Sequence, residues 1–296
     1  MPEGHTIHRL AADHQARFGG RPVRVTSPQG KFADGAALVD GQVLREAQAH
    51  GKHLFLGFGE APGFGSGAGS ESGSGGGPGA GPGFGWIHVH LGLFGKLGFG
   101  AAPAPPPADT VRLRLANAEH YADLRGPTAC VLLTDDEKQA IHDRLGPDPL
   151  RPGDDPDRAY ARISRSRTPL ATLLMDQKVV AGVGNVYRAE VLFRHAVDPL
   201  LPGRDLPRPL WDALWSDLVA LMREGVRTNR IDTVRPWHTP EAMSRPARRD
   251  DHGGEVYVYR RTGAPCLLCG TPVRTALLAG RNLFWCSRCQ PARAVQ

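Results

Sequence analysis

Residues 175–190 read Met-Asp-Gln-Lys-Val-Val-Ala-Gly-Val-Gly-Asn-Val-Tyr-Arg-Ala-Glu and join two segments with helical patterns. Gly182 and Gly184 flank Val183, which predicts a tight turn between the two helices. Asn185 stands where it can cap the second helix. A glycine-rich turn presents backbone N–H groups at a helix start, which suits one phosphate group. A plain helical corner in which Asn185 is only the cap is the alternative, and both can hold together.

The patterns around this stretch predict an α+β, multidomain protein. Before it, a helix is predicted over 3–18, and strand-like runs separated by turns predict an antiparallel β-sandwich or barrel. The strand-like runs are 21–27, 42–50, 52–58, 86–94, 111–116 and 129–134. From Asp135 the pattern changes to helices, predicted over 135–145, 157–167, 169–179, 185–196 and 210–228, with strands from Val256 onward.

These patterns divide the chain into three predicted domains. They are an N-terminal helix and β-sandwich domain over 1–134, a helical domain over 135–254 and a C-terminal ribbon over 255–296. The first contains a Gly/Ser/Pro-rich stretch at 60–85, which holds 12 of the 37 glycines. Such a composition cannot bury apolar surface, so we expect a flexible hairpin insertion.

Four of the five cysteines follow the pattern of a zinc ribbon. Cys266 and Cys269 form one CxxC pair, Cys286 and Cys289 form another, and 16 residues separate the pairs. Two such pairs complete a tetrahedral thiolate site, which predicts one structural Zn²⁺ without an open coordination position. Disulfide pairing is the alternative, and it fits a reducing cytosol poorly. The fifth, Cys130, lies in an apolar run and is expected in the core.

Charge is unevenly distributed along the 296 residues. The chain has a net charge of +6, and residues 151–296 carry 23 Lys and Arg, of which 22 are Arg, against 15 Asp and Glu. Arginine pairs well with phosphate, so this half suits a polyanion, although arginine-rich codon usage gives the same composition. No apolar run approaches the ~20 residues of a membrane helix, and residues 1–10 lack a signal-peptide pattern. We therefore expect neither secretion nor membrane insertion.

The first residues, Met1-Pro2-Glu3-Gly4, offer a candidate nucleophile. A small second residue favours removal of Met1, which leaves Pro2 as a secondary α-amine. An α-amine with a pKa of about 7.9 is about 10% free base at pH 7, whereas a lysine is about 0.04%. Attack of a secondary amine on a sugar C1′ gives an iminium, and Glu3 beside it can act as acid or base. A chance Met-Pro start, with Glu3 in a first helical turn, is the alternative.

Taken together, these motifs resemble the formamidopyrimidine-DNA glycosylase / endonuclease VIII family of base-excision repair enzymes. The resemblance rests on Pro2-Glu3-Gly4, on AGVGNVYRAE at 181–190, on LGPDPL at 145–150 and on the terminal zinc ribbon. They occur in the family's order and span essentially the whole chain. The resemblance implies a helix–two-turns–helix in the helical domain, damaged DNA as partner, a monomer, and a cytoplasmic, nucleoid-associated location in a bacterium.

The resemblance also implies roles for individual residues. Pro2 would be the Schiff-base nucleophile, and Glu3 would protonate the sugar ring oxygen. Lys52 matches a strand lysine that contacts phosphate and assists catalysis, Asn185 would bind backbone phosphate, and Arg281 matches the ribbon arginine that holds the phosphate beside the flipped nucleotide. Without the family, Lys52 is equally a solvent-facing strand lysine, and Arg281 is one exposed arginine among many.

Base flipping leaves a gap in the duplex that must be filled. The resemblance places Leu93 and Phe94, in HLGLFGKL at 90–97, as the wedge. Burial in the sandwich is the alternative, because Leu93 continues the alternation of Ile87, Val89 and Leu91.

The loop at 121–127 differs from the corresponding loop in the formamidopyrimidine branch of the family. That branch has two adjacent arginines followed by Phe-Gly, whereas here residues 121–127 read YADLRGP and leave Arg125 as the DNA-contact candidate. This favours the endonuclease VIII side, whose substrates are typically oxidised pyrimidines.

The sequence therefore predicts a bifunctional DNA glycosylase and abasic-site lyase. It cuts the strand by β-elimination or by β,δ-elimination. Three alternatives stay open: a non-catalytic damage-sensing or DNA-binding protein on this scaffold, a formamidopyrimidine/8-oxoguanine glycosylase, and, more remotely, a zinc-ribbon transcription factor.

Overall fold

The computed structural model describes residues 2–59, 85–249 and 254–292. The chain packs as two compact units. The sandwich unit comprises Leu10–Ala49 and His53–His142, and the helical unit comprises Met1–Arg9, His50–Lys52 and Asp143–Gln296. Residues 60–84 of the expected flexible insertion lie outside the described residues. The predicted three-domain boundaries stay a prediction.

The sandwich unit contains two four-stranded antiparallel sheets, with strand orders β1-β6-β7-β5 and β2-β3-β4-β8. The strands are β1 (Arg24–Thr26), β2 (Val43–His50), β3 (His53–Gly59), β4 (Gly85–His90), β5 (Lys96–Ala101), β6 (Val111–Ala116), β7 (His120–Arg125) and β8 (Ala129–Leu133). The helices that accompany them are α1 (Gly4–Phe18) from Leu10 onward, α2 (Ala33–Val39), and α3 (Asp135–Arg144) as far as His142. The predicted first helix is confirmed, and each of the six strand-like runs contains a strand. The run over 86–94 is strand only to His90 and then turns, and the run over 21–27 is strand only over Arg24–Thr26.

The core of this unit explains the confirmed elements. Along β3, an inner strand between β2 and β4, Leu54, Phe55 and Leu56 are all fully buried, so both faces of this strand are covered. Cys130 on β8 pairs in register with Val89 on β4 and is buried, as predicted.

Two strands, β5 and β7, were not predicted, because their stability comes from tertiary pairs. Asp123 on β7 is buried and accepts hydrogen bonds of 2.6 and 2.8 Å from the Arg114 guanidinium on β6. On β5, a Cβ at Gly100 would lie 2.4 Å from the ring of Tyr121, so the glycine makes room for that ring. A charged residue and a glycine both hide the alternation that predicts a strand.

From Asp143 onward, the helical unit contains four complete α-helices and a two-stranded ribbon within the described residues. They are α4 (Pro156–Ile163), α5 (Leu170–Leu173), α6 (Asn185–Arg194), α7 (Arg208–Thr228), β9 (Arg274–Leu278) and β10 (Arg281–Trp285). Their shared core includes Trp211 and Tyr187 from the helices and Cys266 and Cys286 from the ribbon. Among the described residues, no helix has the length and apolar character needed to cross a bilayer.

The predicted helix over 169–179 is wrong beyond Leu173. Side chains bind the backbone there and replace helical hydrogen bonds. The Asp176 carboxylate accepts from the Lys178 N–H at 2.9 Å, and the Gln177 amide donates to the Met175 and Val183 carbonyls, each at 3.0 Å. The chain is thereby turned towards α6.

The strand predicted from Val256 onward is also wrong until Arg274. The backbone N–H groups of Tyr257, Val258 and Tyr259 donate instead to the buried Glu190 carboxylate, at 2.7 to 2.9 Å. These three N–H groups therefore donate to a side chain of α6, and they are not available to pair with a neighbouring strand.

Candidate active site and zinc centre

Glu3 is completely buried and caps the start of α6. Its carboxylate accepts hydrogen bonds from the backbone N–H groups of Gly184, Val186 and Tyr187, at 3.0, 2.9 and 3.4 Å. A Cβ at Gly184 would lie 2.3 Å from the Glu3 carboxyl carbon, so only glycine fits beneath the carboxylate. Burial raises the pKa of Glu3, which the charge of Lys52 and the three N–H donors partly oppose. The side chain is thus fixed in place and able to hold a proton.

Asn185 does not cap α6, and that part of the prediction is wrong. The N-cap is Gly184, and the Glu3 carboxylate supplies the acceptor that an N-cap side chain normally provides. Asn185 is the first helical residue, and its buried side chain donates to the Asn282 carbonyl at 3.0 Å. Its side-chain oxygen accepts a hydrogen bond from Arg188.

Three glycines bring the candidate residues together, and we call them the glycine junction: Gly4, Gly51 and Gly182. A Cβ at Gly4 would lie 2.8 Å from the Gly182 Cα, and a Cβ at Gly51 would lie 3.1 Å from the Gly182 backbone nitrogen. Gly182 also has φ +85°, a left-handed conformation that favours glycine. Because Gly4 follows Glu3 and Gly51 precedes Lys52, close contact of the backbones places Glu3 and Lys52 in one site.

The N-terminal segment of this junction is fixed by a backbone hydrogen bond. The Gly4 N–H donates to the Gly182 carbonyl at 2.8 Å, and Pro2, two residues earlier, is half-buried. Pro2 therefore lies directly beside the fixed Glu3, with part of its surface open to solvent.

Lys52 lies in the turn between β2 and β3 and is half-buried. Burial lowers the pKa of Lys52, the Glu3 carboxylate raises it, and the charge of Arg281 lowers it. The three side chains therefore share one electrostatic environment.

A buried carboxylate holds this turn in position. Asp148 accepts from the Gly51 N–H at 2.7 Å and from the Leu150 N–H at 2.8 Å, and its carboxylate lies 2.8 Å from the His8 Nε2. The pKa of Asp148 lies below its usual value, because hydrogen bonds from His8 and from the backbone N–H groups outweigh the opposing effect of burial. Asp148 stands in the LGPDPL motif, but sequence reasoning assigned it no role.

Arg281 begins β10 and is exposed. The residue after it, Asn282, is held by α6 through its carbonyl, which accepts from Asn185 and from Arg188. Arg188 is buried and was also missed, although it stands inside the quoted AGVGNVYRAE stretch. The sequence did not show which face of α6 packs against the core, so the burial of Arg188 was not predicted.

The four ribbon cysteines form a cluster that fits a zinc ion. The ligand atoms of Cys266, Cys269, Cys286 and Cys289 all lie within 4.8 Å of one another. The Cys266–Cys289 and Cys269–Cys286 sulfur pairs are 3.8 and 3.5 Å apart. Tetrahedral Zn–S bonds of about 2.3 Å place sulfurs about 3.8 Å apart, whereas a disulfide needs about 2.05 Å. The spacing fits a bound metal ion, and the sulfurs of these two pairs are too far apart to form disulfide bonds.

The remaining candidates belong to the sandwich unit. Leu93 and Phe94 follow β4 in a turn and are 50% and 83% exposed, so the alternative of burial in the sandwich is excluded. Arg125 ends β7 and is exposed, and its guanidinium donates to the Asp123 carboxylate at 2.8 Å.

Comparison with known proteins agrees with this architecture along the chain. Residues 1–130 match the formamidopyrimidine-DNA glycosylase N-terminal domain, residues 145–235 match the formamidopyrimidine-DNA glycosylase H2TH domain, and residues 263–292 match a zinc finger found in FPG and IleRS.

The sequence relatives include proteins of the endonuclease VIII branch. The chain is 50% identical over 294 residues to Endonuclease 8 1 of Mycobacterium tuberculosis, covering 98% of this chain and all of that protein. It is 34% identical over 197 residues to the probable endonuclease 8 2 of Streptomyces coelicolor, covering 64% of each chain.

Solved structures share the fold at lower identity. The Lactococcus lactis Fpg (MutM) protein in complex with N7-benzyl-Fapy-dG DNA matches with a TM-score of 0.72 at 19% identity, covering 98% of this chain and all of that one. The MutM (Fpg) protein of Thermus thermophilus matches with a TM-score of 0.69 at 24% identity, covering 99% and 100%.

Half of all residues are thus identical to an endonuclease VIII over nearly the full length, and the fold is that of MutM. The chain belongs to the formamidopyrimidine-DNA glycosylase / endonuclease VIII family of DNA repair glycosylases and lies on its endonuclease VIII side.

Proposed function

We propose that this protein is a bifunctional glycosylase and abasic-site lyase that removes oxidised bases, chiefly pyrimidines, from DNA. The observation that carries the proposal is the fixed Glu3 carboxylate on the first turn of α6, directly beside Pro2 and within electrostatic range of Lys52. An amine nucleophile and a carboxyl proton donor are the two groups that the reaction needs.

In the proposed chemistry, removal of Met1 frees the Pro2 amine. The nitrogen attacks C1′ of the flipped nucleotide, the bond from C1′ to the base breaks, and the base leaves with a proton. Glu3 donates a proton to the ring oxygen O4′ as the ring opens, and the nitrogen lone pair completes an iminium at C1′. The raised pKa of Glu3 suits a group that must carry this proton.

The iminium then drives cleavage of the strand. It acidifies the proton at C2′, and loss of that proton expels the 3′ phosphate by β-elimination. A second elimination can expel the 5′ phosphate, and water releases Pro2 from the remaining sugar fragment. Lys52, Asn185 and Arg281 are proposed to hold phosphates near the lesion, with positive charge from Lys52 and the exposed Arg281.

Two observations support pyrimidine lesions over 8-oxoguanine. The relative at 50% identity is an endonuclease 8. In the loop where the other branch has two arginines, the single Arg125 is tied to Asp123, which also holds Arg114. We propose that Leu93 and Phe94 fill the gap left by the flipped base, and that the protein works as a monomer.

One structural zinc ion per chain completes the proposal. Four thiolate ligands leave no open position, so the metal stabilises the ribbon and takes no part in the chemistry. Metal analysis of the purified protein is expected to give one zinc per chain.

The test compares base release with strand cleavage in the Glu3→Gln variant. Duplexes carry thymine glycol, 8-oxoguanine or a preformed abasic site. We expect the wild type to prefer thymine glycol, and Glu3→Gln to lose base release by at least about a hundredfold. Cleavage at the abasic site falls less, because that sugar opens spontaneously to its aldehyde in water, and Pro2 can form the iminium from the aldehyde without the Glu3 proton.

Glu119→Gln, which changes an exposed carboxylate of the sandwich unit, is the control and keeps full activity. Equal loss of both activities in Glu3→Gln would contradict the assigned role. Binding of damaged DNA without any cleavage by the wild type would favour a damage-sensing protein.

A further inference from the structure

Arg188 is a buried cation that the proposed chemistry does not use. It lies on α6 directly after Tyr187, the last of the residues whose backbone N–H groups bind Glu3, and it is 1% exposed. One of its terminal nitrogens donates to the Asn282 carbonyl at 2.9 Å and to the Asn185 side-chain oxygen. Its other terminal nitrogen lies 3.5 Å from the Ala171 carbonyl, at the limit of a hydrogen bond.

Burying the Arg188 guanidinium costs free energy of desolvation. Its Nε has no hydrogen-bond partner among the described residues. Burial lowers the pKa of Arg188 to about 10, and the nearby Glu3 carboxylate opposes this effect. An apolar side chain would avoid both costs, so the contacts that Arg188 does make need an explanation.

Those contacts converge on the zinc ribbon. The Asn282 carbonyl accepts two donors, and both come from α6: Asn185 at 3.0 Å and Arg188 at 2.9 Å. Arg188 also binds the side-chain oxygen of Asn185 and so holds that amide with its N–H₂ group directed at Asn282. The three groups form a closed set of hydrogen bonds between one helix and one strand.

The strand held in this way carries the proposed phosphate ligand. Arg281 precedes Asn282 directly and is exposed, and its side chain makes no hydrogen bond or ion pair to any described residue. The Arg281 backbone pairs with Leu278 of β9, and the anchor at Asn282, the next residue, ties this part of β10 to α6.

We propose that Arg188 is a positioning residue that fixes β10 at Asn282 and thereby directs Arg281 at its phosphate. This inference rests on the proposed function, since it assumes that Arg281 binds phosphate. Arg188 itself touches neither the sugar nor the base.

The test is a double-mutant cycle read by DNA binding. The probe is a duplex with a tetrahydrofuran abasic-site analogue, titrated at several salt concentrations. Arg281→Ala is expected to weaken binding about tenfold and to reduce the slope of log affinity against log salt by about one. Arg188→Met is expected to reproduce both changes, and the double variant to bind no more weakly than Arg281→Ala alone.

Four further measurements separate positioning from a general structural role. Arg223→Met removes an exposed cation from α7 and is expected to leave binding intact. Zinc content and melting temperature are expected to stay at wild-type values in Arg188→Met. Arg188→Lys, which can still reach one acceptor, is expected to restore part of the affinity.

The outcomes separate the two proposals. If Arg281→Ala binds like the wild type, the phosphate role of Arg281 fails, and this inference fails with it. If Arg281→Ala weakens binding but Arg188→Met does not, or if their effects add fully, only the role of Arg188 is overturned. Loss of zinc in both Arg188→Met and Arg188→Lys would show a structural residue and would also overturn it.

Discussion

At the residue scale, the geometry of the site depends on Gly51, which packs against the backbone at Ala181 and Gly182. A Cβ there would lie 3.0 Å from the Ala181 Cβ and 3.1 Å from the Gly182 backbone nitrogen, closer than ordinary van der Waals contact, at a φ of +59°. We expect Gly51→Ala to separate the backbones that carry Glu3 and Lys52. Because a displacement of about 1 Å can cost about a hundredfold in rate, single-turnover cleavage of thymine glycol DNA should fall by about that factor.

Gly153 provides a matched control for backbone strain. Its φ is +83°, and a Cβ there would meet no atom within 4 Å. Gly153→Ala is therefore expected to lose about 1 kcal/mol of unfolding free energy through strain alone, with full activity. If both variants lose activity equally, or neither does, the glycine junction does not set the geometry of the site.

Residue types indicated the chemistry of the site, but not the partners of each side chain. Glu3 was assigned from its place beside Pro2, and its burial against α6 could not be read from the sequence. The capping role went to Asn185 on local spacing, whereas an acceptor 181 residues away in the chain fills it. A capping group that comes from a distant part of the chain leaves no periodic pattern in the local sequence.

At the element scale, the turn after β4 presents apolar side chains to solvent. Leu93 and Phe94 are 50% and 83% exposed, so their truncation removes little buried surface. We expect Leu93→Ala combined with Phe94→Ala to change unfolding free energy by less than about 0.5 kcal/mol. Base release from duplex DNA should fall about tenfold, because the gap left by the flipped base then stays unfilled.

The same lesion in single-stranded DNA separates this effect from a general defect. No stack needs filling there, so the double variant and the wild type should release the base at equal rates. Leu38→Ala, at a side chain that is 66% exposed in the same unit, is the control. An equal loss on both substrates would contradict the wedge assignment.

Elements with uniform local patterns were predicted well, and elements that depend on distant partners were not. Apolar runs such as Leu54–Leu56 identified β3, and the amphipathic spacing of 3–18 identified α1. The strands β5 and β7 were missed, since a buried Arg114–Asp123 pair and a glycine facing Tyr121 replace the usual alternation. The helix over 169–179 was overestimated, because Gln177 binds the backbone around it.

At the scale of the whole molecule, each unit buries a neutral histidine. His5 in the helical unit and His14 in the sandwich unit are nearly or fully buried, and burial lowers the pKa of each to about 4. The unfolded chain therefore binds more protons than the folded chain between about pH 6.5 and pH 4, and unfolding free energy falls as pH falls. At about 1.4 kcal/mol per pKa unit, each histidine costs about 3 kcal/mol by pH 4.

Urea unfolding at several pH values measures this dependence. We expect His14→Leu to flatten the pH dependence of the sandwich unit, whatever its effect on stability at pH 7. His120→Gln, at a partly exposed histidine of the same unit, should leave the slope unchanged. A wild-type slope that persists in His14→Leu would show that other groups govern acid unfolding.

The claim that Pro2 is the nucleophile has the most direct test in borohydride trapping. Purified protein is incubated with abasic-site duplex, the iminium is reduced, and the adduct is mapped by mass spectrometry. We predict one adduct, on Pro2, in chains that have lost Met1. It should persist in Lys52→Ala and disappear in a form that retains Met1. An adduct on Lys52, or no adduct from chains that lack Met1 and still bind the duplex, would contradict the account.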